Sequence, residues 1–222
     1  GKLDFNWRLT NNSGSLYSNT EFYRGNILNK KYNNIFNTTK LEINDGKYIG
    51  LSNGTISNFL LDPYKWKEIS YGVNIFDSEI SGIFLKAISE LDDSLKIKAN
   101  RQLLNNFYFS EFNGSLRGSD LTIEPFFVKI DMDKKHIVLP EIKAMINDGL
   151  VQLSGNYAHQ LKYDLDVRLE NIIFKDLYSI IGKPFPINGL IKRCQFRIEN
   201  NNIIDDIKPL IFSHLSIYNG DL

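Results

Sequence analysis

Tyr163-Asp164-Leu165-Asp166-Val167-Arg168-Leu169-Glu170 alternates apolar and charged residues without a break. Successive side chains of a β-strand point to opposite faces, so this octet has one greasy face and one wet face. A helix would smear the same residues around its whole circumference. Just downstream, Phe174, Leu177, Tyr178 and Ile181 recur at i, i+3, i+4 and i+7. That spacing predicts a short amphipathic helix from Phe174 to Ile181, with Gly182 placed to end it. After Lys183-Pro184-Phe185-Pro186 a second strand is expected, starting at Ile187-Asn188-Gly189-Leu190 and alternating through Cys194, Phe196 and Ile198. The unit from Gly149 to Glu199 is therefore strand, short helix, proline-marked loop, strand.

The rest of the chain reads mainly as more strands. Leu3, Phe5, Trp7 and Leu9 share one face of the first, and Ser15 to Tyr23 and Tyr32 to Phe36 are weaker candidates in a polar stretch. Thr39 to Ile43, Tyr48 to Leu51 and Thr55 to Leu61 follow as short strands, divided by Asn44-Asp45-Gly46 and Ser52-Asn53-Gly54. Asn and Gly tolerate positive φ, so both tripeptides are expected to be turns. Tyr64 to Glu68 is expected to be a loop or a single helical turn. From Ser81 to Asp92 the period changes, and Phe84, Ala87, Ile88 and Leu91 predict a second helix. Alternation resumes from Leu95 to Ala99 and from Phe107 to Phe112, with Asn113-Gly114 as a turn. It continues through Phe126, Val128, Ile130 and Met132, then from Val151 to Tyr157. Ile203 to Phe212 is expected to start as a helix. Strands at close spacing joined by tight turns predict a meandering antiparallel sheet with one buried and one solvated face.

The chain has 222 residues, enough for one large β-domain or two smaller ones. Its 26 basic residues balance 26 acidic ones, so no net field draws nucleic acid or anionic lipid. The single cysteine, Cys194, excludes an intramolecular disulfide and a Cys-rich zinc site. No apolar run is long enough to cross a bilayer as a helix. The first residues already alternate, and there is no starting Met and no signal segment, so a piece of a longer protein is expected.

Residues that could carry chemistry are sparse. His136, His159 and His214 lie far apart, without metal-ligand spacing. Asp164 and Asp166 share a strand face, their Cβ atoms roughly 7 Å apart. Paired acids can hydrolyse glycosides at such distances. With Arg168 following on the same side, a solvated charge ladder explains the pair better, as it does Asp131 and Asp133 among neighbouring lysines. Cys194 alternates with Phe196 and Ile198, which predicts an inert buried thiol. No catalysis, metal or cofactor is expected.

At Leu121-Thr122-Ile123-Glu124-Pro125-Phe126 the chain resembles the AsmA-like proteins of Gram-negative bacteria. The resemblance continues through the turn at Gly149, Gln152-Leu153-Ser154-Gly155-Asn156-Tyr157, the Tyr163 to Glu170 strand, the Phe174 to Ile181 helix and Ile187-Asn188-Gly189-Leu190. It closes at Leu215-Ser216-Ile217-Tyr218-Asn219-Gly220-Asp221-Leu222. It covers residues 81–222, divided here from an N-terminal β-strand region, 1–80, and it departs from the family between Asp131 and Asp148. The resemblance implies a periplasmic protein anchored in the inner membrane by a segment outside this chain. Its extended sheet would have an apolar concave face holding the acyl chains of phospholipid or another lipid. Such bridge-like carriers are implicated in phospholipid transport to the outer membrane and in envelope integrity.

The stripe that would line such a groove is Phe126, Val128, Ile130, Met132, Val151, Leu153, Tyr157, Tyr163, Leu165, Val167, Leu169, Phe196 and Ile198. The pattern alone favours the inner face of a sandwich or barrel, and the resemblance shifts the expectation to an open groove. The fold class expected is mainly β: an extended, curved antiparallel sheet, open groove or half-barrel, with two or three short helices. The short helix is expected to cover part of the face through Phe174, Leu177, Tyr178 and Ile181. A β-sandwich or solenoid adhesion module without lipid remains the alternative.

Overall fold

Alternation extends into ladders longer than the turn signals suggest. The computed structural model describes residues 1–10, 13–27, 30–61, 64–103, 106–131, 136–158, 162–181, 189–200 and 210–216. The chain divides into two compact units, Gly1–Arg101 and Gln102–Leu222. The expected division at residues 80 and 81 falls inside a strand of the first unit.

Unit 1 carries β1 (Lys2–Thr10), β2 (Ser13–Ile27), β3 (Lys30–Asn44), β4 (Lys47–Leu61), β5 (Tyr64–Phe76), β6 (Glu79–Ser89) and β7 (Ser94–Leu103). Each strand pairs antiparallel with the next. Unit 2 carries β8 (Asn106–Leu116), β9 (Ser119–Ile123), β10 (Phe126–Asp131), β11 (His136–Ile146), β12 (Gly149–Ala158), β13 (Lys162–Ile173), α1 (Phe174–Ile181), β14 (Leu190–Asn200) and β15 (Leu210–Ser216). It too is an antiparallel meander. β9 and β10 lie end to end between β8 and β11, interrupted at Glu124-Pro125. Proline has no N–H for the ladder, so the break falls where a bond would be missing anyway.

The expectation of a mainly β, antiparallel fold holds, and several local expectations do not. Ser81 to Asp92 is no helix: β6 runs through it, with Ile83, Leu85 and Ala87 opposite Val73, Tyr71 and Ile69 on β5. A segment apolar on both sides fits either period. Ladder partners on both flanks and the stiff β-branched Ile83 and Ile88 favour the strand. Leu91, the last of the expected helical stripe, stands in the turn beyond, 86% exposed. Tyr64 to Glu68 likewise belongs to β5, with Trp66 buried. Ser52-Asn53-Gly54 lies inside β4, where Gly54 pairs with both β3 and β5, and Asn113-Gly114 lies inside β8, where Gly114 pairs with Leu121 of β9. Among the described residues α1 is the sole helix. The helical start expected at Ile203 lies outside the described residues, as does Ile187 at the expected start of β14.

Three hairpin turns carry positive φ at both central residues: Asp45-Gly46 (49° and 77°), Asp77-Ser78 (53° and 67°) and Arg117-Gly118 (51° and 80°). That geometry matches the right-handed twist of the flanking strands. In unit 2 the deepest burial sits near α1: Ile172, Ile191, Ile146, Leu116 and Leu121 are all buried, Ile172 completely. No helix among the described residues is long and apolar enough to cross a membrane.

Candidate functional site

Directly paired residues of antiparallel strands put their side chains on the same face. The ladders of unit 2 therefore collect the expected stripe into rows. Ile142, Leu153, Val167 and Phe196 form one, and Ala144, Val151, Leu169 and Cys194 the next. Leu139, Gly155, Leu165 and Ile198 form a third, and Ile130, Ile137, Tyr157 and Tyr163 a fourth. Val128 and Phe126 follow Ile130 at alternate positions along β10. Met132 lies outside the described residues. These four rows contain no Lys, Arg, Asp or Glu.

Burial along the face is graded. Leu169 and Cys194 are buried, as is Val128, whereas Val151, Leu153, Tyr163, Leu165, Val167, Phe196, Ile198, Phe126 and Ile130 are half-buried and Tyr157 is exposed. In a two-layer core the central side chains of such a face lose nearly all their solvent contact. Here the middle rows keep part of it. Cys194 sits where alternation put it, and burial pushes its thiol pKa up from its ordinary 9.0.

The opposite face carries the charges. Arg197 grips Asp164 with two hydrogen bonds, Nε to Oδ1 at 2.8 Å and Nη2 to Oδ2 at 2.7 Å, and also reaches Glu199 at 2.7 Å. The bond to Asp164 raises the guanidinium pKa further. Arg168 bonds Glu170, which Arg193 approaches at 3.8 Å. Asp164 is thus held by a cross-strand guanidinium, in the ladder expected of it, and Asp166 stands exposed beside it. Asp131 ends β10 and Asp133 lies outside the described residues. Among the histidines, His136 opens β11, His214 is the register partner of Gln195 in the β14–β15 ladder and His159 lies outside the described residues. No cluster of three potential metal ligands exists among the described residues.

The helix α1 is fastened at the hairpin end of the strands. Asp176 Oδ1 accepts hydrogen bonds from Ser119 Oγ at 3.2 Å and Asn147 Nδ2 at 2.9 Å. The Arg117 guanidinium lies 5.6 Å from the centre of the Tyr178 ring. Asp176 and Ser179 are the buried residues of the helix, and Phe174, Leu177 and Tyr178 are half-buried. The side chain of Ile181 is outside the described set.

Unit 1 has a corresponding face that the sequence did not single out. Its rows are Leu16, Leu41, Gly50, Ile75; then Ser18, Thr39, Ser52, Val73; then Thr20, Asn37, Gly54, Tyr71; then Phe22, Ile35, Ile56, Ile69. These rows also contain no Lys, Arg, Asp or Glu. Two apolar rows flank two that are largely polar. Within the polar pair, Asn37 Nδ2 donates to Thr39 Oγ1 at 3.0 Å, and Ser52 Oγ donates to Asn37 Oδ1 at 3.0 Å. Thr39 and Ser52 hydroxyls share a bond of 2.9 Å, and Tyr71 OH donates to Asn37 Oδ1 at 3.1 Å. Only the strand register could have revealed this cluster, because its members come from three strands. Comparison with protein-family models, with characterised proteins and with solved structures returned no match for this chain.

Proposed function

We propose that this chain is a lipid-carrying segment of an envelope protein of the AsmA-like kind, working without catalysis. The observation that carries the proposal is the charge-free apolar face of unit 2, half-buried along its middle rows. Apolar surface gains about 25 cal/mol per Å² on leaving water, so such a face is driven to find a cover. Acyl chains supply one without needing a polar partner, and they slide because affinity is spread over many weak contacts. Charged residues stay on the other face, where guanidinium–carboxylate pairs and water satisfy them. In the full protein the segment would stand in the periplasm, tethered to the inner membrane by a part outside this chain, and would help move phospholipid toward the outer membrane.

The test is to produce the chain in the periplasm of a Gram-negative host, purify it in mild detergent, and analyse it by native mass spectrometry followed by lipid extraction. Bound phospholipid or another acyl lipid, in molar amounts and lost on denaturation, is the expected result. A lipid-free chain would overturn the proposal and favour an adhesion module using its loops.

A further inference from the structure

The polar rows of unit 1 interrupt a face that is otherwise built like that of unit 2. Ser52 donates its only hydroxyl hydrogen to Asn37 Oδ1, so in its contact with Thr39 it accepts, and Thr39 donates. Asn37 closes the circuit by donating one Nδ2 hydrogen to Thr39. Tyr71 spends its hydrogen on Asn37 Oδ1, and burial raises its phenol pKa, which keeps the ring neutral. Every hydroxyl hydrogen of the circuit is committed within it. The second Nδ2 hydrogen of Asn37 has no partner among the described residues and remains for an incoming acceptor.

Gly54 is the reason this geometry exists. A Cβ there would lie 2.5 Å from Tyr71 Oη and 2.5 Å from the Phe36 carbonyl oxygen. The missing side chain lets the Tyr71 ring lie across β4 and reach Asn37 on β3. Rows of Leu16, Leu41 and Ile75 on one side, and of Phe22, Ile35, Ile56 and Ile69 on the other, enclose the band. No side chain of the four rows carries a full charge, so an ionised headgroup would find no counter-ion there. An uncharged acceptor set between hydrocarbon arms fits.

We propose that the Asn37–Thr39–Ser52–Tyr71 band is a subsite for the ester carbonyl region of a lipid, whose hydrocarbon lies on the flanking apolar rows. The proposal rests on the lipid-carrying function and adds a chemical preference to it. The ester carbonyl accepts from Asn37 Nδ2, and no bond to a phosphate or ammonium is involved. Two rows of hydrogen-bonding groups beside two rows of hydrocarbon thus distinguish an ester-linked lipid from one of equal apolar area without carbonyls.

The test is competitive binding of dioleoylglycerol and its dioleyl ether counterpart to the delipidated 222-residue chain, read by native mass spectrometry. One added hydrogen bond should favour the ester by about threefold to tenfold. Asn37→Leu should bring the ratio to about one, and Asn53→Leu, on the opposite face of β4, should leave it as in the parent chain. Should Asn37→Leu fail to fold, the isosteric Asn37→Asp, which turns the free donor into an acceptor, should likewise remove the preference. Equal binding of ester and ether by the parent chain would overturn the subsite while leaving the lipid-carrying proposal standing. An ester preference that survives a folded Asn37 variant would also overturn it. Binding of neither lipid would sink both proposals together.

Discussion

Unit 1 and unit 2 use one backbone plan, a strand-by-strand antiparallel meander, and put different chemistry on comparable faces. In unit 2 the Ile142, Leu153, Val167, Phe196 row and its neighbours are hydrocarbon almost throughout. In unit 1 a neutral hydrogen-bonded band runs from β3 to β5 between hydrocarbon rows. What the two share is the exclusion of charge from these rows. Charge is costly wherever the face is covered, whereas a polar group whose bonds close on one another costs little. Hydrophobicity alone therefore does not define such a face; internally satisfied polarity is compatible with it.

The largest effect is expected from backbone geometry. Gly155, at φ 147°, would place a Cβ 2.1 Å from the Asp164 carbonyl oxygen. Gly155→Val should therefore cost about 3 kcal/mol or more, seen as a lower urea midpoint for unit 2. Next comes charge on the hydrocarbon face. Val167→Asp should cost about 1–3 kcal/mol and abolish lipid co-purification; a variant retaining both fold and lipid would show that the face is not where lipid lies. The helix clasp follows. Asp176→Ala should cost about 1–2 kcal/mol by leaving Ser119 and Asn147 without their shared acceptor, measured as earlier exchange of the α1 amides. In unit 1, Thr39→Val keeps shape but opens the circuit, and about 1 kcal/mol in thermal or urea unfolding is expected.

The smallest effect concerns Cys194. In the unfolded chain its thiol ionises near its ordinary 9.0, and in the folded chain only at higher pH. Between those values the folded state holds the extra proton, so stability should fall slightly as pH rises through that window. Iodoacetamide should modify Cys194 slowly in the native chain and quickly in urea. Fast native modification would contradict its burial.

How much of this was legible in the sequence depends on what each feature needed. The 163–170 octet declares its faces because polarity changes at every residue, leaving one period that fits. The Ser81 to Asp92 stretch carries apolar residues on both sides, so periodicity could not choose, and pairing with β5 and β7 chose instead. Gly54 looks like a turn glycine locally; its role is to leave room for the ring of its direct ladder partner on β5, Tyr71. Asn37, Thr39, Ser52 and Tyr71 are individually unremarkable polar residues, and register alone makes them neighbours. Asp176 reads as solvent-facing in a helical wheel, yet it is buried against two turns.

The meander has a consequence for growth and folding. Among the described residues of each unit, ladders join strands adjacent in the chain, apart from β8 with β10 and β9 with β11. Paired strands are thus mostly neighbours in the chain, and each step closes a loop no longer than a hairpin or two. Such a sheet can assemble hairpin by hairpin from any starting pair, much as repeat proteins do. It also lengthens or shortens modularly: adding or deleting two strands preserves the sense of every remaining one, and with it the side to which each residue points.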